Sequence, residues 1–278
     1  MNQTIVAALE SVVGTTHLTT DSTLLAPYQT DATERPGGTA WALVTPGTTE
    51  EVAAVVRLAN EHRIPVTVRG GGTGLSGGAI PIQGGIVLSM ERLNRILAID
   101  QANLLCRVEA GVITGELQAA VEAVGLFYPP DPNSKETCQI GGNIAENAGG
   151  PRCFKYGVTR SYVLGLTAVL PTGEIVRTGG PTVKNRAGFD LTGLLVGSEG
   201  MLGIVTEATL RLVPKPEAAE TFMAAFDSLD GAAEWIRAVV AAGVVPATLE
   251  LMDKSAAELI EVRHRVGLGA LPEALLLV

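Results

Sequence analysis

Residues 69–78 read RGGGTGLSGG and follow a short apolar run, PVTV. Arg69, Gly70, Gly71, Gly72, Thr73, Gly74, Leu75, Ser76, Gly77 and Gly78 carry few large side chains and much bare backbone. Successive N–H groups in such a loop make a nest for an anion. Gly72 to Gly77 also match the dinucleotide fingerprint G-x-G-x-x-G letter for letter. In the fold that owns this fingerprint, the loop opens a helix whose N-terminus receives the pyrophosphate. An acid, Glu91, even stands at about the right distance downstream, but Pro81, Gly84 and Gly85 occupy the place of the crossover helix. No Lys-Ser/Thr pair follows the loop, which excludes a Walker phosphate loop as well. What survives is a backbone cradle for a phosphate compound, with a tight surface connection as the alternative reading.

Two further glycine clusters point the same way. PPDPNSKETCQIGGNIAENAGGPRCFKYG spans 129–157 and VGSEGMLGIVTE spans 196–207. In the first, Pro129, Pro130 and Pro132 fix φ, while Gly141, Gly142, Gly149 and Gly150 remove side chains. Asn143 and Asn147 stand four apart and would face one way on a helical turn. Two amides beside bare backbone suit a flat, hydrogen-bonding heterocycle, and a pair of Asn turn caps is the other reading. Three separated glycine loops imply a large, extended ligand.

Other chemistries find less support. His17, His62 and His264 lack metal-ligand spacing, and Cys106, Cys138 and Cys153 contain no C-x-x-C pair, so no zinc or iron site is expected. The cysteines read as reduced thiols serving as small hydrophobes. A formal charge of −9 without a basic run disfavours nucleic acid and anionic lipid as partners. The opening MNQTIVAALESVVG does not read as a signal peptide, and no stretch approaches a membrane span. A cytoplasmic protein with no transmembrane segment is expected.

The elements that must position these loops follow from periodicity and turn chemistry. Ile5, Leu9 and Val12 mark an opening helix over 3–13. ALVTP at 42–46 reads as a strand, TEEVAAVVRLANEHR as a Thr-capped helix, and PVTVRG as the next strand. Together they predict a βαβ unit over 42–69. GIVLSM is a buried strand, RILAID and LLCRVEAG form a hairpin around 101–103, and ITGELQAAVEAVG is an amphipathic helix. YVLGLTAVL and EIVRTG pair around Pro171-Thr172-Gly173, Asp190 caps a short helix, and GIVTEATLRLVP is a long strand. Pro214-Lys215-Pro216 reads as a stiff linker to a β-α-β-α-β run ending in LLLV. That last strand is expected to leave an apolar edge without a partner, as if a second domain were cut short. The fold class is α+β, with a first domain over 1–213 and a second over 214–278.

VRGGGTGLSGGAIP, the PPDP…CQIGGNIAENAGGPRCFKYGVTR block and the DLTGLLVGSEGMLGIVTEATLRLVPKP block resemble FAD-linked oxidases of the vanillyl-alcohol-oxidase/PCMH type. Within that type they are most similar to the FAD-binding subunit of glycolate oxidase and to D-lactate dehydrogenases. The resemblance is dense over 20–215 and looser beyond. It implies a two-lobed FAD-binding domain followed by an incomplete α+β cap domain that binds substrate. It implies that the loop from Arg69 to Gly78 wraps the FAD diphosphate through backbone N–H groups. Pro130, Asp131, Gly141, Gly142, Asn143, Asn147, Gly149, Gly150, Tyr156 and Gly157 would line the isoalloxazine and ribityl part. Gly203, Ile204 and Val205 would meet the adenine end through main chain. Many relatives link flavin covalently through a histidine in the first loop, where this chain has Thr73, so FAD is expected to be non-covalent. Met201, Gly193 and Arg186 depart from the residues usual at their places.

The implied activity is oxidation of a small 2-hydroxy acid, glycolate or D-lactate, to the 2-oxo acid, with hydride passing to flavin N5. Other oxidase subunits or an electron-acceptor protein are implied as partners. No catalytic base or carboxylate clamp is assigned, because the family's arginine and H-x-G-D-G-N-type segment belong to a later half. The alternative function is a non-catalytic flavin-binding or scaffolding subunit. A nicotinamide enzyme is disfavoured by the missing helix.

Overall fold

A computed structural model describes residues 2–33, 37–269 and 271–278. The chain divides into two compact units. The first comprises Met1–Tyr128, Ser134–Ala148 and Val158–Lys215; the second comprises Pro129–Asn133, Gly149–Gly157 and Pro216–Val278.

The first unit opens with α1 (Gln3–Val13), whose N-cap Asn2 accepts from the Thr4 N–H. Gly14 at φ +85° ends it, in a conformation that costs glycine no Cβ clash. After β1 (Leu18–Thr19), α2 (Ser22–Leu25) and β2 (Ala42–Val44) comes α3 (Thr49–Glu61). Thr48 caps α3 through the Glu51 N–H, and Glu50 and Glu51 place negative charge at its positive end. Val52, Val55, Val56 and Ala59 recur at helical spacing and are buried, which turns one face of α3 onto the sheet. That sheet has the order β1-β2-β4-β3, with β3 (Val66–Arg69) and β4 (Ile86–Ser89) parallel to each other and to β2. The strand-helix-strand unit over 42–69 therefore forms, but its two strands are not neighbours. β4 lies between them because Ile86, Val87 and Leu88 are fully buried and require a partner on each side.

The second sheet is antiparallel, with the order β5-β6-β10-β8-β9. It is built from β5 (Ile96–Asp100) and β6 (Leu105–Glu109), which form the expected hairpin. α4 (Thr114–Glu122), β7 (Leu126–Phe127), α5 (Ile140–Glu146) and, in the second unit, α6 (Cys153–Tyr156) follow. β8 (Val163–Val169) and β9 (Ile175–Gly179) pair as predicted, and α7 (Leu191–Leu195) is capped by Asp190. β10 (Ile204–Arg211) lies between β6 and β8, with its register slipping between Val205 and Glu207. Within that slip Thr206 is buried, accepts from Thr49 Oγ1 at 2.9 Å and donates to Thr167 O. The first turn of α3 is thereby fastened to the second sheet beside residues 203–205. β11 (Val213–Pro214) pairs β7 and closes the unit.

The second unit holds β12 (Met223–Phe226), α8 (Leu229–Ala241), β13 (Glu250–Asp253), α9 (Lys254–His264) and β14 (Ala274–Leu277). Its sheet order is β12-β14-β13, antiparallel throughout. β14 is thus the centre of the sheet, which corrects the expectation of an unpartnered apolar edge. A run of buried residues, Ala274, Leu275 and Leu276, is what a strand flanked on both sides requires. Among the described residues no helix is long and apolar enough to cross a membrane, and no His/Cys/Asp/Glu group is arranged to hold a metal. Cys106 and Cys138 are buried, and burial pushes the Cys106 thiol up to about 12, so it stays protonated.

Candidate cofactor-binding site

β3 delivers the chain at Arg69 into the glycine loop, which returns directly to the parallel β4 without a helix. Arg69 is not free to grip an anion. It is 9% exposed, its Nη1 donates to Thr30 O at 2.6 Å and its Nη2 to Pro27 O at 3.2 Å. The guanidinium also lies 5.5 Å from the Tyr28 ring centroid, so it braces the root of the loop against residues 27–30.

The loop's glycines fall into two groups. A Cβ at Gly71 would stand 2.3 Å from Thr137 O, and one at Gly72, already at φ +67°, would meet the Arg69 guanidinium. One at Gly70 would crowd Gln139 Oε1 at 3.3 Å. These three are bare because protein packs against them. Around Gly77 nothing lies within 4 Å of such a Cβ, and around Gly74 and Gly78 the one neighbour is Glu146 Oε1, at 3.8 and 3.6 Å. Here bare backbone borders open space, as a ligand cradle requires. Thr73 is half-buried, and Leu75 and Ser76 are exposed.

α5 supplies the next group. The Gly141 N–H donates to Ala110 O at 2.7 Å, and a Cβ there would strike the Ala110 side chain, whereas Gly142 borders open space. Asn143 is buried and donates from Nδ2 to Thr114 Oγ1 at 2.6 Å. Asn147 does not share its face. It is the left-handed C-cap at φ 51°, and its Oδ1 accepts the Arg160 N–H at 2.9 Å. The helix ends one residue before the four-residue spacing could act. Arg160 in turn donates through its guanidinium to Gly193 O and Val196 O, which ties the end of α7 to this corner. The missing side chain at Gly193 follows from its cap: its N–H donates to Asp190 Oδ1, and a Cβ there would overlap the same carboxylate.

At the head of β10, Gly203 and Ile204 line a cavity of about 220 Å³ whose other walls include Val56, Val66, Val68 and Leu170. Val205 is buried outside that lining, as strand alternation dictates. A slot between apolar side chains, with Asn60 and glycine backbone also in its lining, has room for a flat ring.

Pro130, Asp131, Gly149, Gly150, Tyr156 and Gly157 lie in the second unit. Asp131 pairs with Arg152, Oδ2 to Nε at 3.2 Å, and accepts the Arg152 N–H on Oδ1. Gly150 is bare because a Cβ would stand 2.2 Å from Asp131 O, and its N–H donates to Cys153 Sγ at 3.0 Å. Gly157, at φ +77°, ends α6 beside Tyr156.

Two residues at the loop escaped the sequence reading. Gln139 is 7% exposed, and its Oε1 is buried against Gly70 without a hydrogen-bond partner. Its signal was a polar side chain immediately before Ile140-Gly141-Gly142. Glu146 brings a carboxylate to the loop, 3.3 Å from Ser76 Oγ. Glu146 is exposed, yet partial desolvation of its carboxyl, with Glu199 and Asp31 nearby, raises its pKa above the usual carboxylate value, against the Ser76 hydrogen bond.

A bare-backbone loop on open space, a second glycine turn and a slot at a strand head agree with a nucleotide-cofactor protein of the FAD-linked oxidase class. The chain belongs to that family: the FAD binding domain matches residues 40–179, half of the chain, and the C-terminal domain of FAD linked oxidases matches 215–278. A glycolate oxidase subunit GlcD from Bacillus subtilis (strain 168) is 48% identical over 251 residues, 90% of this chain and 53% of the relative. A D-lactate dehydrogenase from Archaeoglobus fulgidus is 46% identical over 219 residues, 79% of this chain and 49% of its own. A D-2-hydroxyglutarate dehydrogenase from Xanthomonas citri pv. viticola is 42% identical over 225 residues, 81% and 48% respectively. The chain spans about half the length of these relatives. Among solved structures, alkyldihydroxyacetonephosphate synthase shares the fold at TM-score 0.85 and 22% identity, over 100% of this chain and 55% of that one. p-Cresol methylhydroxylase with substrate bound does so at 0.78 and 20%, over 99% and 59%. The expected PCMH-type α+β fold is the fold found. FAD is the family's cofactor, and the open space bordered by Gly74, Gly77, Gly78 and Gly142 fits it.

Proposed function

We propose that this chain is the FAD-holding part of a flavoprotein that oxidises a small 2-hydroxy acid, glycolate or D-lactate, to the 2-oxo acid. The observation that carries the reading is the division of the loop glycines, with Gly74, Gly77 and Gly78 bare towards open space rather than towards protein. The backbone of Gly74 and Gly78 would hold the diphosphate, Gly142 would leave room for the ribityl and ring portion, and the slot edged by Gly203 and Ile204 would take the adenine. Arg69 holds the loop's root, and Asn143 and Asn147 hold its neighbours, Thr114 and Arg160. The cofactor supplies the hydride acceptor; the protein supplies binding, orientation and electrostatics. Thr73 offers no imidazole for a covalent link, so the flavin is held non-covalently. Pro130, Asp131, Gly149, Gly150, Tyr156 and Gly157 are proposed as flavin-side residues on the family resemblance alone.

The test is an absorbance spectrum of the purified chain before and after acid precipitation. Flavin bands passing into the supernatant are expected; a colourless protein that FAD cannot reconstitute overturns the reading. A second reading, a flavin-holding subunit without turnover of its own, is favoured by the likeness to the Bacillus subtilis glycolate oxidase subunit. Assay of the FAD-loaded chain with glycolate, D-lactate and D-2-hydroxyglutarate and an artificial dye separates the two. Dye reduction supports the oxidase, and a loaded chain without it supports the subunit.

A further inference from the structure

Glu146 stands where the proposed ligand would pass. Its Oε2 lies 3.3 Å from Ser76 Oγ, and its Oε1 is the one atom near the open sides of Gly74 and Gly78. The same backbone that would hold a diphosphate therefore already borders a carboxylate. Among the described residues, the charged groups that act on it are acidic. Glu199, whose N–H donates to Ala145 O on the loop after α7, and Asp31, on the segment before β2, are both acidic. Arg69 and Arg160, on the adjoining segments, donate to the carbonyls of Thr30, Pro27, Gly193 and Val196. A diphosphate diester carrying two negative charges would enter beside a third charge and be repelled by it. A protonated carboxyl removes the repulsion and gives phosphate a hydrogen-bond donor.

We infer that Glu146 takes up a proton when FAD enters the loop, so that cofactor loading is coupled to pH through this one side chain. The inference rests on the FAD reading above and concerns this chain's own carboxyl. Partial desolvation and the two neighbouring acids shift Glu146 towards its protonated form, although the residue is exposed. Asp31 differs. Burial would raise it, but hydrogen bonds from the Thr33 hydroxyl and N–H, the Gly77 N–H and the Arg69 charge together hold it below the usual carboxylate range. Asp31 therefore keeps its charge throughout and serves as the control. The diphosphate diester of FAD does not titrate near neutrality, so any proton exchanged belongs to the protein.

The experiment is titration of the apo-chain with FAD, followed by flavin fluorescence from pH 5 to 8. Calorimetry at pH 7 in two buffers of different ionisation enthalpy gives the proton count. The wild type is expected to bind more weakly as pH rises, by up to about tenfold per pH unit, with close to one proton taken up. Glu146→Gln is expected to bind at neutral pH at least as tightly as the wild type, with a flat profile and no proton uptake. Asp31→Asn is expected to keep the wild-type slope. The inference is overturned if Glu146→Gln retains the slope, if the wild type shows none, or if Asp31→Asn abolishes it. Failure of every variant to bind FAD at any pH instead removes the FAD reading, and the inference with it. Melting curves for each variant establish that it is folded.

Discussion

Gly71 and Gly78 are seven residues apart in one loop and are bare for different reasons. At Gly71 a methyl group would overlap Thr137 O, whereas at Gly78 it would meet only the tip of Glu146. Gly71→Ala is accordingly expected to cost about 1–3 kcal/mol of stability, read as a lowered urea midpoint. Gly78→Ala should leave that midpoint within about 0.5 kcal/mol while weakening FAD at least tenfold in a fluorescence titration. Equal loss of stability in both would mean that the open side of Gly78 is not a binding surface. Asp31 gives a pH prediction with a definite sign. Its folded pKa is depressed, so its stabilisation is present above the unfolded carboxylate value and is lost as pH falls through the folded one. Melting temperatures taken from pH 7 down to 3 should therefore fall less steeply for Asp31→Asn than for the wild type, with the difference confined to the acid end. At this scale the sequence displayed the glycines but not their partners. Nothing in RGGGTGLSGG says that Thr137 lies against Gly71 and Glu146 beside Gly78.

Elements were more legible than contacts. The caps at Thr48 and Asp190 and the turn at 171–173 are local devices, and each sits where side-chain chemistry put it. Strand order is not local. The 42–69 unit reads as two strands joined by a helix, and only the sheet shows the more apolar β4 between them. β14 gives the same lesson in the second unit. LLLV shows an apolar strand, and only the sheet shows it flanked by β12 and β13. Leu276 is fully buried and Leu277 is 37% exposed, so the pair makes a test of that placement. Leu276→Ala should destabilise the second unit by about 2–5 kcal/mol in denaturant titrations. Leu277→Ala should cost well under half as much. Comparable small effects at both positions would place β14 at an edge.

For the whole molecule, a net charge of −9 sets the terms on which an anionic cofactor approaches. Screening should help, so FAD association is expected to accelerate several-fold between low and physiological salt, as stopped-flow fluorescence would record. A rate falling with salt would require a cationic entrance that the charges around the loop do not suggest. The sequence by itself determined the α+β class, the three glycine loops and the absence of a helix after Gly78. Each of these follows from backbone conformations and periodicities that neighbouring residues impose on one another. The tertiary structure alone decided which glycines are bare against protein and which border open space, and that Asn143 serves Thr114. It also placed β14 at the centre of its sheet and brought Glu146, seventy residues from Ser76, onto the loop. Those outcomes depend on contacts between distant segments, and a one-dimensional pattern carries no information about which bare backbone another chain segment will come to cover.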